Sequence, residues 1–222
     1  MAYSYHKMLA DIRQDLAKYV ALYPVRCKKP VHIFKVLLHS PGFYVIASYR
    51  MLFWLKTWQE ASGSLLLKML LALFSFIAHR YWTIVMKSSI AGWPEIGPGL
   101  YFSNKGGIIM GSKKIGSECV IHHNVTIGKS QMNVMDRNAT INLYKNKNKH
   151  PEIGNNVWIG ANSLIYGEII KDGVIVEAET IVGKSLPACV VVKGNPAKIV
   201  GRNIDSHCIL SNFKNRKDKN YV

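Results

Sequence analysis

Negative charge is what this sequence has least of. Its 222 residues hold 13 Asp+Glu against 29 Lys+Arg, a formal charge of +16. Charged residues make up only 19% and hydrophobic residues 49%, which excludes a disordered polyelectrolyte and leaves ample material for a core. Cysteine is scarce: the four residues at 27, 119, 189 and 208 form no CxxC pair. That spacing excludes a zinc module, and the cysteines read as free thiols in a reducing compartment. No apolar run reaches the ~20 residues of a bilayer span. The most apolar stretch, Ser64–Ala78, is interrupted by Lys68. The N-terminal MAYSYHKMLADIRQDL is charged where a leader would be apolar, so it does not read as a signal peptide. Walker loop, zinc finger, RNP-like aromatic motif and helix-turn-helix are all missing. The charge is shared equally, +8 over residues 1–95 and +8 over 96–222, rather than gathered in a stripe. Nucleic acid is therefore excluded as the partner, leaving a phosphorylated cofactor, an acidic polymer or an acidic membrane surface.

Two patterns divide what is present. Residues 1–87 read as helical. Met8, Ile12, Leu16 and Val20 recur at spacing four, and further helices are expected over Gly42–Gln59 and Leu65–Met86, with Gly63 at the turn between them. Pro24, Pro30 and Pro41 read as loop punctuation. The last helix reads either as buried at a subunit contact or as lying on a membrane surface, since Arg50, Lys56, Lys68, Arg80 and Lys87 punctuate the apolar stretch.

From Ile90 the period becomes six. Ile109, Ile115, Ile121 and Ile127, then Ile153, Ile159, Ile165, Ile170, Val176 and Val182, keep this register with one step of five. Gly follows the aliphatic residue at Ile96, Ile115, Ile127, Ile153 and Ile159, and Cys119, Val125, Val157 and Ser163 stand four positions on. The pattern predicts a left-handed parallel β-helix: each hexapeptide makes one side of a triangular coil, its aliphatic residue points inward, and Gly or Asn serves the turn. The fold class is thus α+β, with a helical region (1–87), a β-helix (88–201) and a basic tail (202–222) carrying Lys214, Arg216, Lys217 and Lys219. The polar, Asn-rich stretch 129–150 has no place in the prism and is expected as one long protruding loop.

The segments IGPGLYFSNKGGIIMGSKKIGSECVIHHNVTIG, HPEIGNNVWIGANSLIYGEI and VVVKGNPAKIVG resemble the hexapeptide-repeat acyltransferases. By pattern they are similar to the serine O-acetyltransferases and to the serine-acetyltransferase-like O-acetyltransferases of bacterial surface polysaccharides. The resemblance implies acetyl transfer from acetyl-CoA to a hydroxyl through a direct ternary complex, without a metal. It further implies a homotrimer, possibly a dimer of trimers, with clefts between neighbouring β-helices. A hydroxyl is a weak nucleophile, so the chemistry requires a general base.

The serine acetyltransferase motif aliphatic-Asp-His-x-Thr-Gly falls on Phe102-Ser103-Asn104-Lys105-Gly106-Gly107, and its partner Asp falls on Ser89. Both members of that catalytic pair are replaced, which argues against serine as acceptor. One repeat later, His122-His123-Asn124-Val125-Thr126-Ile127-Gly128 resembles the catalytic segment of lipid A acyltransferases and sugar N-acetyltransferases. The match assigns the base to His123, with His122 as the alternative and a plain turn role open for both. The resemblance implies substrate contacts at His150, Trp158, Asn104 and Lys105. It implies acetyl-CoA contacts at Gly128, Gly160, Ala161 and Ala178, and phosphate contacts at Lys193 and Lys198. The expected acceptor is a sugar hydroxyl of a capsule, O-antigen or exopolysaccharide, anionic or lipid-linked, with the enzyme cytoplasmic and peripheral to the membrane. Serine O-acetylation and a non-catalytic trimeric scaffold are the alternatives.

Overall fold

The computed structural model describes residues 3–22, 29–129, 150–167 and 169–203. The basic positions Lys145, Lys147 and Lys149 of the expected loop, and the tail from 204 on, lie outside them.

The chain opens with α1 (Tyr5–Leu22), α2 (Lys29–His39), α3 (Pro41–Ser62) and α4 (Leu65–Ile84). Ser64 caps α4 by accepting the Leu67 N–H, and Gly63 ends α3 in the left-handed region at φ 66°. The α2 helix replaces an expected loop. Pro30 occupies its first turn, where a missing N–H costs nothing, so the proline begins the helix instead of breaking it. The α1 helix also departs from expectation: its buried face includes Asp11, Asp15, Lys18 and Tyr19, while Ile12, Leu16 and Val20 are only half-buried.

Among the described residues fourteen short strands follow in five coils, and a fifteenth folds back on the last. The first coil is β1 (Ser89–Ile90), β2 (Glu95–Ile96) and β3 (Tyr101–Phe102), and the second β4 (Ile109–Met110), β5 (Lys114–Ile115) and β6 (Val120–Ile121). The third is β7 (Thr126–Ile127), β8 (Glu152–Ile153) and β9 (Trp158–Ile159), and the fourth β10 (Leu164–Ile165), β11 (Ile169–Ile170) and β12 (Ile175–Val176). The fifth has β13 (Ile181–Val182), a bridge at Leu186 and β14 (Val190–Lys193); β15 (Lys198–Arg202) folds back antiparallel on β14. Successive coils pair in parallel, giving face one (β1-β4-β7-β10-β13), face two (β2-β5-β8-β11) and face three (β3-β6-β9-β12-β14-β15). This is the hexapeptide-repeat left-handed β-helix fold.

The prism interior is a column of aliphatic side chains. Ile115, Ile121, Ile127, Ile159, Ile165, Ile170, Val176 and Val182 are fully buried, each contributing roughly 1.5–3 kcal/mol by burial. One inward position is corrected: Met110 points in at 0% exposure, and Ile109 points out at 53%. The corner after Phe102 carries two extra residues, so the step from Phe102 to Met110 is eight. The role of the repeat glycines is also corrected. A Cβ on Gly97 would stand 2.6 Å from Ser117 N, and one on Gly160 would strike Ala178 N of the next coil. These glycines allow coil-to-coil approach. Positive φ falls two positions later, on Glu118, Asn124, Asn156 and Asn162.

The first coil has an open edge, and the helices close it. Asp15 accepts the Leu100 N–H (2.9 Å), and the Tyr19 hydroxyl accepts from Phe102 N (3.0 Å) and donates to Phe102 O (2.5 Å). Arg50 of α3 donates to the carbonyls of Ile96 (3.1 Å) and Gly97 (2.8 Å), and it is ion-paired to Asp15 and Asp11. Side chains thus stand in for the missing strand at the Leu100, Phe102, Ile96 and Gly97 backbone. Gly42 is the point of closest approach: a Cβ there would strike Phe102 O.

Candidate active site

In a coil, residues at equal offset from registered inward positions stack one above another. Phe102 and Ile121 are a registered pair, as are Ile121 and Ile159. Two residues beyond them, at the corner between faces three and one, stand Asn104, His123 and Ala161, then Ala178 beyond Val176. One residue beyond stand Ser103, His122, Gly160, Glu177 and Lys193. The structure therefore gathers most of the candidate residues on one corner, from sequence positions some ninety apart.

Asn104 occupies the place of the motif histidine, and its amide is engaged. Its Oδ1 accepts the Gly42 N–H (3.1 Å) and its Nδ2 approaches Ser40 Oγ (3.5 Å), tying the corner to the start of α3. Ser89 lies on the outer side of face one, and Ile109 is its registered neighbour one coil on. Asn124 N–H donates to Gly106 O as Asn162 N–H donates to His123 O, so in the enlarged first corner Gly106, not Asn104, lies over His123, and the neighbour one coil on from Ser89 carries no carboxylate to orient it.

His122 projects from the outer side of face three against Trp158, the ring centroids 5.0 Å apart and nearly perpendicular. Burial, with His123 and Lys105 nearby, holds its imidazole below the usual histidine pKa, so the ring is a neutral acceptor at neutral pH. The indole N–H of Trp158 is buried without a hydrogen-bond partner among the described residues. An unsatisfied buried donor marks a place where a bound acceptor atom would be favoured. Asn124 and Asn162 extend the corner with an amide–amide bond (3.2 Å), and His123 O accepts the Asn162 N–H (3.1 Å). Lys105 is exposed at the same corner.

His150 and Gly128 lie elsewhere, at the corner between faces one and two. His150 Nδ1 donates to Gly111 O (2.6 Å), a carbonyl that can only accept. Within one chain face one separates this corner from His123. A Cβ on Gly128 would meet nothing within 4 Å, so that position has room. Ala161 and Ala178 keep the other corner narrow enough for a thin chain such as the pantetheine arm, whereas Gly160 is required by coil packing. Lys193 is ion-paired with Glu177 (3.3 Å) at an exposed site, while Lys198 is exposed on β15. Glu177 was not among the expected residues; its offset, identical to that of His122, is the signal that finds it. Among the described residues no cluster of His, Cys, Asp or Glu is placed to hold a metal.

No protein-family profile matches the chain. Curated relatives do. The serine acetyltransferase of Buchnera aphidicola (subsp. Schizaphis graminum) is 32% identical over 171 residues, covering 76% of this chain and 57% of the relative. Serine acetyltransferase 2 of Arabidopsis thaliana is 32% identical over 166 residues, covering 74% and 44%. The chain spans about half the length of the curated relatives it matches. Among solved structures, the Neisseria gonorrhoeae serine acetyltransferase superposes with a TM-score of 0.67 at 25% identity, covering 90% of this chain and 69% of that one. Soybean serine acetyltransferase in complex with serine gives 0.65 at 26%, covering 87% and 69%. These likenesses overturn the expectation of a sugar hydroxyl in a capsule, O-antigen or exopolysaccharide: these relatives and structural neighbours are serine acetyltransferases. The corner residues around Asn104 had steered the sequence reading away from them. The chain has the fold of the hexapeptide-repeat acyltransferases, and the proteins it resembles in both sequence and structure acetylate serine.

Proposed function

We propose that this chain is an acetyl-CoA-dependent O-acetyltransferase whose acceptor is the hydroxyl of serine, working as a homotrimer with its clefts between neighbouring β-helices. The likeness to serine acetyltransferases over three quarters of the chain carries this reading. His123 is the proton acceptor. It lies on the same corner as Asn104, which stands where the serine acetyltransferase motif has its histidine, one coil on. It takes the serine hydroxyl proton as the oxygen attacks the thioester carbonyl, and returns a proton to the departing thiolate. His122, held neutral against Trp158, and the unpartnered Trp158 indole N–H face the same space. His150, its Nδ1–H fixed by Gly111 O, reaches the cleft from the other corner, supplied by a neighbouring chain. Lys198 meets the phosphates of acetyl-CoA at the end of the prism, in the manner of a point charge.

The test is release of CoA from acetyl-CoA with L-serine, read with a thiol reagent and confirmed by mass spectrometry of O-acetylserine. Turnover that depends on serine supports the reading, and no serine-dependent release refutes it. Asn104 and Ser89, at the positions of the motif's catalytic pair, favour one second reading, a trimeric scaffold without turnover. Acetyl-CoA binding by calorimetry with no product would establish it.

A further inference from the structure

The α4 helix has two very different sides. Ala78 and Trp82 are buried, and Leu71 and Phe74 pack with them against the core. The Trp82 indole N–H donates to Ser48 of α3 (2.9 Å), fixing the helix in place. On the other side Leu66, Met69, Leu73, Phe76, Ile77 and Ile84 are between 57% and 68% exposed. This face runs along the 20 residues of the helix, about 30 Å, with Arg80 as its one charged member. An exposed apolar patch of that length calls for a partner.

The charges decide which partner. The helix carries no acidic residue, while Lys68 and Arg80 lie on its exposed side and Lys87 follows its end. Arg80 is within the apolar arc, its guanidinium 5.1 Å from the Phe76 ring centroid. A symmetric contact with a second copy would bring these cations together in a dry interface where α4 itself has no counter-ion to offer, which is costly. A phosphate-bearing lipid surface offers the opposite: the apolar side chains enter the acyl region while Lys and Arg snorkel to the headgroups. The total charge of +16 acts in the same direction. The packed side rules out a crossing orientation, because a spanning α4 would have to abandon α3 and the prism.

We propose that α4 lies in the plane of an anionic lipid surface, its Leu66–Ile84 face inserted, and docks the β-helix on the membrane. The inference stands independently of which hydroxyl is acetylated. It is tested by flotation of the full chain with vesicles of phosphatidylcholine alone and with added phosphatidylglycerol. The wild-type protein is expected to float with the anionic vesicles and to be released by salt. Leu73→Gln with Ile77→Gln should lower binding by about tenfold or more. Lys68→Gln with Arg80→Gln should lower it by roughly fivefold per cation. These residues are exposed, and the wild-type comparison of the two vesicle types tests the proposal independently of any variant's folding. Failure of the wild type to bind anionic vesicles overturns the proposal. Undiminished binding by the Leu73/Ile77 variant does so too. An assembly seen by sedimentation that shrinks in that variant, without vesicle binding by the wild type, would assign the face to a second copy.

Discussion

Replacing Arg50 by Leu should be the most damaging change in the helical region. Arg50 is 2% exposed, and its guanidinium serves Asp15, Asp11 and the carbonyls of Ile96 and Gly97 at once. The substitution leaves the Asp15 carboxylate, 0% exposed, with only the Leu100 N–H among these partners, and strands two carbonyls at the coil edge. Removing one partner of a buried pair costs about 3–5 kcal/mol. Against a typical total of 5–15 kcal/mol that is a third of the stability or more. The double change Arg50→Leu with Asp15→Asn should recover part of the loss. It removes the uncompensated charge, and the Asn oxygen can still accept the Leu100 N–H. Urea unfolding of the wild type, the two single variants and the double variant gives the coupling energy directly. A loss below about 1 kcal/mol in Arg50→Leu, or a double variant no better than the sum of the singles, would show that the cluster does not hold the helices on the coil.

Three further outcomes are expected. His123→Ala should lower the rate of serine acetylation by about 10²–10⁴-fold with little change in the KM for acetyl-CoA; a variant above half the wild-type rate would remove His123 from the mechanism. Gly42→Ala should lower stability by about 1–3 kcal/mol, because its Cβ meets Phe102 O and shifts α3 off Asn104; an unchanged melting temperature would contradict that close approach. The His122 imidazole should titrate below 6.5 by NMR and move up in Trp158→Ala and in Lys105→Gln. Because its folded pKa is depressed, its contribution to stability is complete above about 6.5 and is lost as the pH falls through the folded value. A wild-type titration at or above that value would refute the assignment of burial against Trp158.

The coil was legible because nearly every inward position is enclosed and takes an apolar, mostly aliphatic, side chain, so the period survives in the letters. It slipped where geometry changed: the two extra residues after Phe102 shifted the inward position to Met110, and stepping back six from Ile115 lands on Ile109. The α2 helix was hidden because Pro30 marks a break and a first turn with the same letter. Asp11 and Asp15 gave no signal and Arg50 read as a cation punctuating the apolar stretch, since their partners lie 35 to 85 residues away and only folding brings them together. The corner gathered His122, His123, Trp158, Ala161 and Ala178 as the offsets required. The acceptor was not legible, because the identities of Asn104 and Ser89 were weighed against the likeness of the whole chain.

The stacked corner has one more consequence. In a helical bundle or a mixed sheet, moving a reactive side chain to a new position changes its direction and surroundings together. Along this prism, a step of one coil is nearly a pure translation. His123 and Ala161 hang from equivalent backbone in successive rungs, so one substitution at each would slide a proton acceptor along the groove without re-aiming it. A solenoid can therefore lengthen or shorten the reach between its acyl donor and its acceptor by whole rungs, which gives substrate size a discrete scale written along a single edge.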